Sequence, residues 1–341
     1  MKNEAILLAS RPKGNPTPEN FRFTTLDIPE PSEGEVLLRT LVVSVDPYLR
    51  GRMSDVPSYI PPFQVGQPVQ SGLIARVERS EHPDFKEGDH VSGILEWKRY
   101  QVSNGKDLMQ RNLQKVDPEK APLTAYLGIL GLTGLTAYLG LTEIGQPREG
   151  ETLVISGAAG AVGTVVGQIG KILGLRVVGI AGSDEKTRML TETFGFDAAI
   201  NYKTTENMAH ALATHCPDGV DIYFENVGGP ISDAVMTRIN KFARIVVCGA
   251  ISLYNSTEVP TGPRVEITLI RKSALMQGFV VSDFEAKFPA AAGHLAKWLA
   301  SGKLHYSETI SEGFGKLPQA FMDLFEGRNK GKMLVRIPDE S

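Results

Sequence analysis

The spacing of apolar residues changes character along the chain. From about Glu4 to Lys115, short apolar runs are cut by Pro and Gly, as in Val36-Leu37-Leu38-Arg39-Thr40-Leu41-Val42-Val43 and Leu73-Ile74-Ala75-Arg76-Val77. Such runs, bounded by turn formers, predict a small β-rich domain folded as a compact, partly closed barrel. Near Ala121 the texture shifts: residues 127–139 are apolar and rich in Gly and predict a buried helix, too short to span a bilayer. Beyond Glu149, apolar runs alternate with amphipathic stretches, the pattern of a parallel sheet covered by helices. Strands are predicted at Thr152–Ser156, Arg176–Ala181, Ala198–Asn201, 221–226, 244–248 and 274–281, and a further helix at 290–300. Two more strands, 302–305 and 333–337, are predicted to return to the first domain. The fold class is therefore α/β: a doubly wound parallel sheet in residues 125–304, and a discontinuous β-rich domain in 1–124 and 305–341.

A length of 341 residues suits two domains, so the pattern and the size agree. The 36 Lys and Arg nearly balance 39 Asp and Glu, for a net charge of -3. That balance offers no polybasic face and speaks against nucleic acid as the partner. The stretch Ala5-Ile6-Leu7-Leu8-Ala9 is too brief for a signal core and reads as a first strand. With only Cys216 and Cys248 as thiols and no spanning segment, a soluble, cytoplasmic protein with free cysteines is expected.

The strongest local feature is Leu153-Val154-Ile155-Ser156-Gly157-Ala158-Ala159-Gly160-Ala161-Val162-Gly163, a strand entering a glycine turn that opens into an apolar helix. Gly160 would let backbone approach a diphosphate, and Gly163 would let the helix pack on the strand, leaving the anion on the helix N-terminus. Ala158 stands where the first glycine of the usual pattern belongs, with Gly157 one place earlier. A glycine turn without a ligand would look the same in isolation; the flanking strand and helix favour a dinucleotide.

The second predicted strand ends in Gly182-Ser183-Asp184-Glu185-Lys186. No acid stands at the strand end itself, where NAD enzymes hold a ribose hydroxyl. A hydroxyl from Ser183 and an ammonium from Lys186 suit a 2′-phosphate instead, so NADPH is the expected coenzyme. Ser183 can equally cap the helix that follows, and the two roles are compatible.

Dehydrogenases of this layout often carry a catalytic zinc and a structural four-cysteine zinc lobe. Two cysteines cannot build the lobe, Cys216 is expected in a surface turn before Pro217-Asp218-Gly219, and His82, His90, His210, His215, His294 and His305 show no ligand spacing, so no metal site is expected. Without a Lewis acid, hydride addition to a conjugated double bond is easier to serve than alcohol oxidation.

Taken together, Val45-Asp46-Pro47-Tyr48-Leu49-Arg50-Gly51-Arg52-Met53, the glycine turn, Ala181–Lys186, Asn201-Tyr202-Lys203, Glu225-Asn226-Val227-Gly228-Gly229, Cys248-Gly249-Ala250-Ile251-Ser252 and Asn329-Lys330-Gly331-Lys332 carry a resemblance over nearly the whole chain. The sequence resembles the zinc-free medium-chain dehydrogenases/reductases, in the leukotriene hydroxydehydrogenase, prostaglandin reductase and curcumin reductase group. The resemblance implies a GroES-like first domain and a Rossmann cofactor domain. It implies a diphosphate lined by Gly160, Ala161, Val162 and Gly163, and a 2′-phosphate met by Lys186 and Tyr202 beside Ser183. It implies Asn226 toward the nicotinamide ribose, and Cys248 with Phe279, Val280 and Val281 flanking the ring. Asn329 would reach in from the C-terminal segment, and Tyr48 and Tyr254 would serve the substrate as phenolic donors. Cys248 is expected as a contact and not a nucleophile.

The activity so implied is NADPH-dependent reduction of enones or enals, small α,β-unsaturated carbonyl substrates, by a homodimer. A zinc-free quinone reductase of the same fold is the alternative, and a nucleotide-binding redox sensor without turnover is a more distant one.

Overall fold

The computed structural model describes residues 2–338, which fall into two compact units. One unit holds residues up to Leu127, Thr309–Arg328 and those from Met333; the other holds Gly128–Glu308 and Asn329–Lys332. The second unit thus runs past the expected cut at 304. Gln168 explains part of this, because its Nε2 donates to the His305 carbonyl (2.9 Å) while its Oε1 accepts the His305 amide (2.7 Å).

The first unit opens with β1 (Asn3–Leu8) paired antiparallel to β2 (Phe21–Leu26). There follow β3 (Val36–Ser44), the short helix α1 (Leu49–Arg52), β4 (Gln70–Ser80), β5 (His90–Glu96), β6 (Tyr100–Ser103) and β7 (Gln114–Val116).

The second unit contains α2 (Leu132–Leu139), β8 (Thr152–Ser156), α3 (Ala161–Ile172), β9 (Arg176–Ala181), α4 (Asp184–Arg188) and β10 (Ala198–Asn201). It continues with α5 (Met208–His215), β11 (Val220–Glu225), α6 (Gly229–Met236), β12 (Ile239–Val247), α7 (Glu266–Lys272), β13 (Leu275–Gly278) and α8 (Phe288–Ala300). The chain then returns through β14 (Glu308–Glu312), α9 (Leu317–Phe325) and β15 (Lys332–Arg336).

In the first unit the larger sheet runs β14-β15-β3-β4-β5-β7, with β6 also on β3. Its core gathers Leu38, Leu73, Trp97, Phe314 and Phe321. The buried Trp97 indole donates to the Ser71 hydroxyl at 2.8 Å, so no polar atom is stranded by its burial. Leu317, Ala320, Phe321 and Leu324 bury one stripe of α9, the spacing an amphipathic helix requires.

In the second unit six parallel strands are ordered β10-β9-β8-β11-β12-β13. Every residue of β8 is buried, which is why its sequence is a continuous apolar run with no alternation. The strand order reverses between β8 and β11, and in sheets of this kind the crevice at that reversal, beyond the carboxyl ends of the strands, is where nucleotides bind.

Three local expectations are corrected. Residues 302–305 are not a strand: Gly302 takes φ +69°, and the amides of Lys303 and Leu304 turn back to the Trp298 carbonyl (2.9 and 3.2 Å), closing α8. The last strand of the parallel sheet is shorter than 274–281, because Val281 already begins a 3-10 turn through Lys287 and the Asp283 carboxylate receives the Val280 amide at 3.4 Å. Cys216 is not a surface residue but a fully buried one, packed in the core with Leu212 and Val220.

Candidate active site

The glycine turn between β8 and α3 resolves the irregular spacing of its glycines. Gly157 takes φ +59°, the left-handed conformation the turn needs, so the residue after it need not be glycine. Ala158 is buried there, and its amide donates to the Ile180 carbonyl of β9 at 3.0 Å. Gly163 is required for another reason: a Cβ on it would lie 2.6 Å from the Gly157 carbonyl oxygen and 2.7 Å from Ala158 Cα. Helix α3 begins at Ala161 with Gly160 as its cap and no capping side chain. The amides of Ala161, Val162 and Gly163 therefore open the helix with the dipole behind them, an arrangement that receives a diphosphate.

One side of the turn is closed by the C-terminal segment. The Gly331 amide donates to the Ala159 carbonyl at 2.8 Å, and the Asn329 side-chain amide donates to the Gly331 carbonyl, also at 2.8 Å.

At the end of β9, Ser183 caps α4 by accepting the Lys186 amide at 3.3 Å. Tyr202 lies against Gly182, where an added Cβ would be 3.0 Å from the ring. The acids of the first turn are directed elsewhere: Asp184 accepts from the Asn201 side chain at 2.7 Å, and Glu185 pairs with Lys330 at 2.6 Å. Burial holds the Lys186 ammonium below the ordinary lysine pKa, and the positive charges of Lys203 and then Lys330 press the same way against Glu185. Three lysines whose charges oppose one another around a capped helix start fit a doubly charged phosphate.

At the other side of the strand-order reversal, Asn226 joins β11 to β8. Its amide donates to the Ser156 hydroxyl at 2.9 Å and its side-chain Nδ2 to the Ser156 carbonyl at 2.8 Å. These bonds leave Asn226 Oδ1 and the second hydrogen on Nδ2 as groups that could meet a ligand. The Cys248 thiol is pushed up to about 12, by burial first and by the Glu225 charge second. The thiol is thus held in its neutral form. Phe279, Val280 and Val281 follow β13 and are half-buried, with the Phe279 and Phe284 rings 6.2 Å apart.

Tyr254 lies in this same unit. Its oxygen accepts the Ala250 amide at 3.3 Å, so its own proton remains available for donation. Burial raises its pKa, the Ala250 bond lowers it, and Cys248 raises it further. Tyr48, in the first unit, precedes α1, which is anchored by the buried Leu49 and Met53. Burial and then Asp46 raise its pKa, with Arg52 opposing. Both phenols are consequently held in the neutral form at ordinary pH.

The structure brings Gly160, Ala161, Val162, Gly163 and Asn329 to one turn, and Ser183, Lys186 and Tyr202 to one strand end. Asn226, Cys248 and Tyr254 meet around the ends of β11 and β12. Reasoning from sequence assigned nothing to Glu225, Lys203, Lys330 or Gly331. None of the four carried a local signal of its own; the need for glycine at 331 shows only in the structure, in its φ of +63°. Among the described residues, no group of three or more His, Cys, Asp or Glu is placed to hold a metal ion.

Comparison with known proteins places this geometry among relatives. Residues 4–110 match the family described as the N-terminal domain of oxidoreductase, and residues 161–297 the one described as zinc-binding dehydrogenase. The chain is 56% identical over 340 residues to a Bacillus subtilis (strain 168) protein described as an NADP-dependent oxidoreductase, YfmJ, covering 99% of this chain and 98% of the relative. It is 46% identical over 341 residues to the NADPH-dependent curcumin reductase of Escherichia coli (strain K12), covering 98% and 97% respectively. The crystal structure of CurA in complex with NADPH from Vibrio vulnificus superposes with a TM-score of 0.92 at 44% identity, covering 99% of this chain and 100% of that one.

Proposed function

We propose, from the premise that this chain belongs to the zinc-free medium-chain dehydrogenase/reductase family, in its curcumin and prostaglandin reductase group, that it is an NADPH-dependent reductase of conjugated carbon–carbon double bonds in enones and enals. The observation that carries this reading is the match across almost the full chain to an enzyme named for reducing curcumin, a conjugated ketone. The site chemistry agrees with it.

The residues fit the coenzyme. The amides of Ala161, Val162 and Gly163 and the open backbone at Gly160 are assigned to the diphosphate. Ser183, Lys186 and Tyr202 are assigned to the 2′-phosphate, which is what separates NADPH from NADH. Asn226, Cys248, Phe279, Val280, Val281 and Asn329 are assigned to the nicotinamide half. When bound, the reduced coenzyme supplies a hydride for the β-carbon of the substrate, and the α-carbon takes a proton, so the double bond is reduced as NADPH becomes NADP+.

Tyr254 acts at the carbonyl. As negative charge develops on the oxygen, a neutral phenol fixed by the Ala250 amide donates to it without first losing its own proton. Tyr48 is assigned the same chemistry in the first unit.

The partner is a small unsaturated carbonyl compound. No helix among the described residues is long and apolar enough to cross a membrane. Two free thiols, Cys216 and Cys248, agree with a cytoplasmic setting. A homodimer is supported by β13, which ends the parallel sheet with Leu275 exposed, beside Ile267 and Ile270 exposed on α7.

A panel of enones, enals and quinones assayed with NADPH and with NADH tests the function. Saturated ketones and aldehydes formed with NADPH are expected. Loss of quinone absorbance, with no saturated product from any enone, would establish the quinone reductase alternative instead.

A further inference from the structure

Glu225, at the end of β11, is a titratable group that the chemistry above does not use. It is 4% exposed. Its Oε1 accepts the Ser156 hydroxyl (2.6 Å) and the amides of Val227 (2.7 Å) and Gly228 (2.9 Å), while Oε2 accepts the Tyr223 phenol (2.6 Å). Every partner donates, the pattern of an ionised carboxylate. Its backbone carbonyl takes the amides of Cys248 (2.9 Å) and Gly249 (3.1 Å). One residue therefore joins the ends of β8, β11 and β12 at the strand-order reversal.

All four partners of the carboxylate are neutral. Burying a charge without a cation is costly, and a neutral glutamine of the same size could accept most of these bonds. Four donors, one of them the amide of the α6 cap Gly228, satisfy the carboxylate, but none of them brings a full positive charge. A full positive charge nearby would come only from a ligand that is cationic in one of its states.

We propose that Glu225 is a positioning residue whose negative charge biases the coenzyme site toward the oxidised, cationic nicotinamide, and thereby favours hydride departure. This rests on the assignment of the nicotinamide half to the neighbourhood of Asn226 and Cys248. The balance is simple. The reduced ring is neutral; departure of a hydride, one proton with two electrons, to the substrate β-carbon leaves the ring with one positive charge. No bond to Glu225 forms or breaks in this step. Its field already reaches Cys248, whose thiol it helps to hold in the neutral form. Because the carboxylate is fixed before the reaction, no reorganisation is needed when the positive charge appears.

The test is the ratio of the dissociation constants of NADP+ and NADPH, measured by calorimetry and by coenzyme fluorescence on the full chain without substrate. In Glu225→Gln, NADP+ is expected to bind about tenfold more weakly, the factor that ~1.4 kcal/mol gives, while NADPH stays near the wild-type value. Loss of both coenzymes by one common factor, or of neither, would overturn the proposal, since a merely architectural residue moves both alike. Tyr223→Phe supplies a second arm that does not depend on the folding of the first. It removes a neutral donor from Oε2 and leaves the charge less compensated, so the ratio is expected to shift toward tighter NADP+. An unchanged ratio, or a shift toward NADPH, would count against the proposal. If the wild-type chain binds neither coenzyme, the assignment of the site fails and the proposal fails with it.

Discussion

The Gly331 amide donates to the Ala159 carbonyl at 2.8 Å, joining a residue near the end of the chain to the turn between β8 and α3. Gly331 takes φ +63°, and a Cβ there would lie 1.8 Å from the Ser307 carbonyl oxygen. Gly331→Ala is therefore both strained and obstructed. The variant is expected to lose about 2 kcal/mol of stability or more in denaturant unfolding. It is also expected to weaken both NADPH and NADH, because the displaced segment borders the diphosphate turn, with the larger loss for NADPH because the adjacent Lys330 stands at the strand end assigned to the 2′-phosphate. Wild-type stability and wild-type coenzyme binding would show that the segment does not depend on this contact.

Lys186, assigned to the 2′-phosphate, is expected to set the cofactor preference and to give it a pH dependence of definite sign. Its pKa is depressed, by burial first and by Lys203 next, so its positive charge is lost at a lower pH than that of an ordinary lysine. A 2′-phosphate needs that charge. Affinity for NADPH is therefore expected to fall as pH rises into the alkaline range, with NADH affinity much less affected. Lys186→Ala is expected to weaken NADPH by roughly 10- to 100-fold, the worth of a charged hydrogen bond, and to flatten this pH dependence. An equal loss for NADH in titrations of the variant would remove Lys186 from the phosphate site.

Tyr254 is assigned to the transition state and not to coenzyme binding. Tyr254→Phe removes the hydroxyl that accepts from Ala250 and that is assigned as the donor to the developing oxyanion. It is expected to lower kcat for enone reduction by about 100-fold or more, as loss of an oxyanion donor does, while the dissociation constant for NADPH stays near wild type. A rise in KM at unchanged kcat would make the phenol a binding contact only.

Much of this fold was legible because local and long-range signals agreed. The apolar run 152–156, the turn Gly157–Gly163 and the apolar helix after it sit within one short stretch, where strand and helix periods can be read directly. Residues 302–305 misled because their apolar character follows a helix end, and the glycine that closes α8 looks the same in sequence as one that opens a strand. Cys216 misled because its neighbours Pro217, Asp218 and Gly219 form a turn while its own side chain points into the core.

Glu225 was invisible for a different reason. Its hydroxyl partner Ser156 lies 69 positions earlier in the chain, and only the strand order brings β8 beside β11. Lys330 and Glu185 are separated by 145 positions, so their pairing likewise depends on the return of the C-terminal segment. Pairs of this kind follow from topology and not from spacing.

The most direct measurement is the fate of a labelled hydride. The protein is incubated with an enone and NADPH deuterated at the nicotinamide C4 position, and the product is read by NMR. Deuterium at the β-carbon of a saturated ketone, with a solvent-derived proton at the α-carbon, is the expected result. Deuterium on the carbinol carbon of an allylic alcohol, or unreacted enone beside intact NADPH, would contradict the assignment of this chain as a reductase of conjugated double bonds.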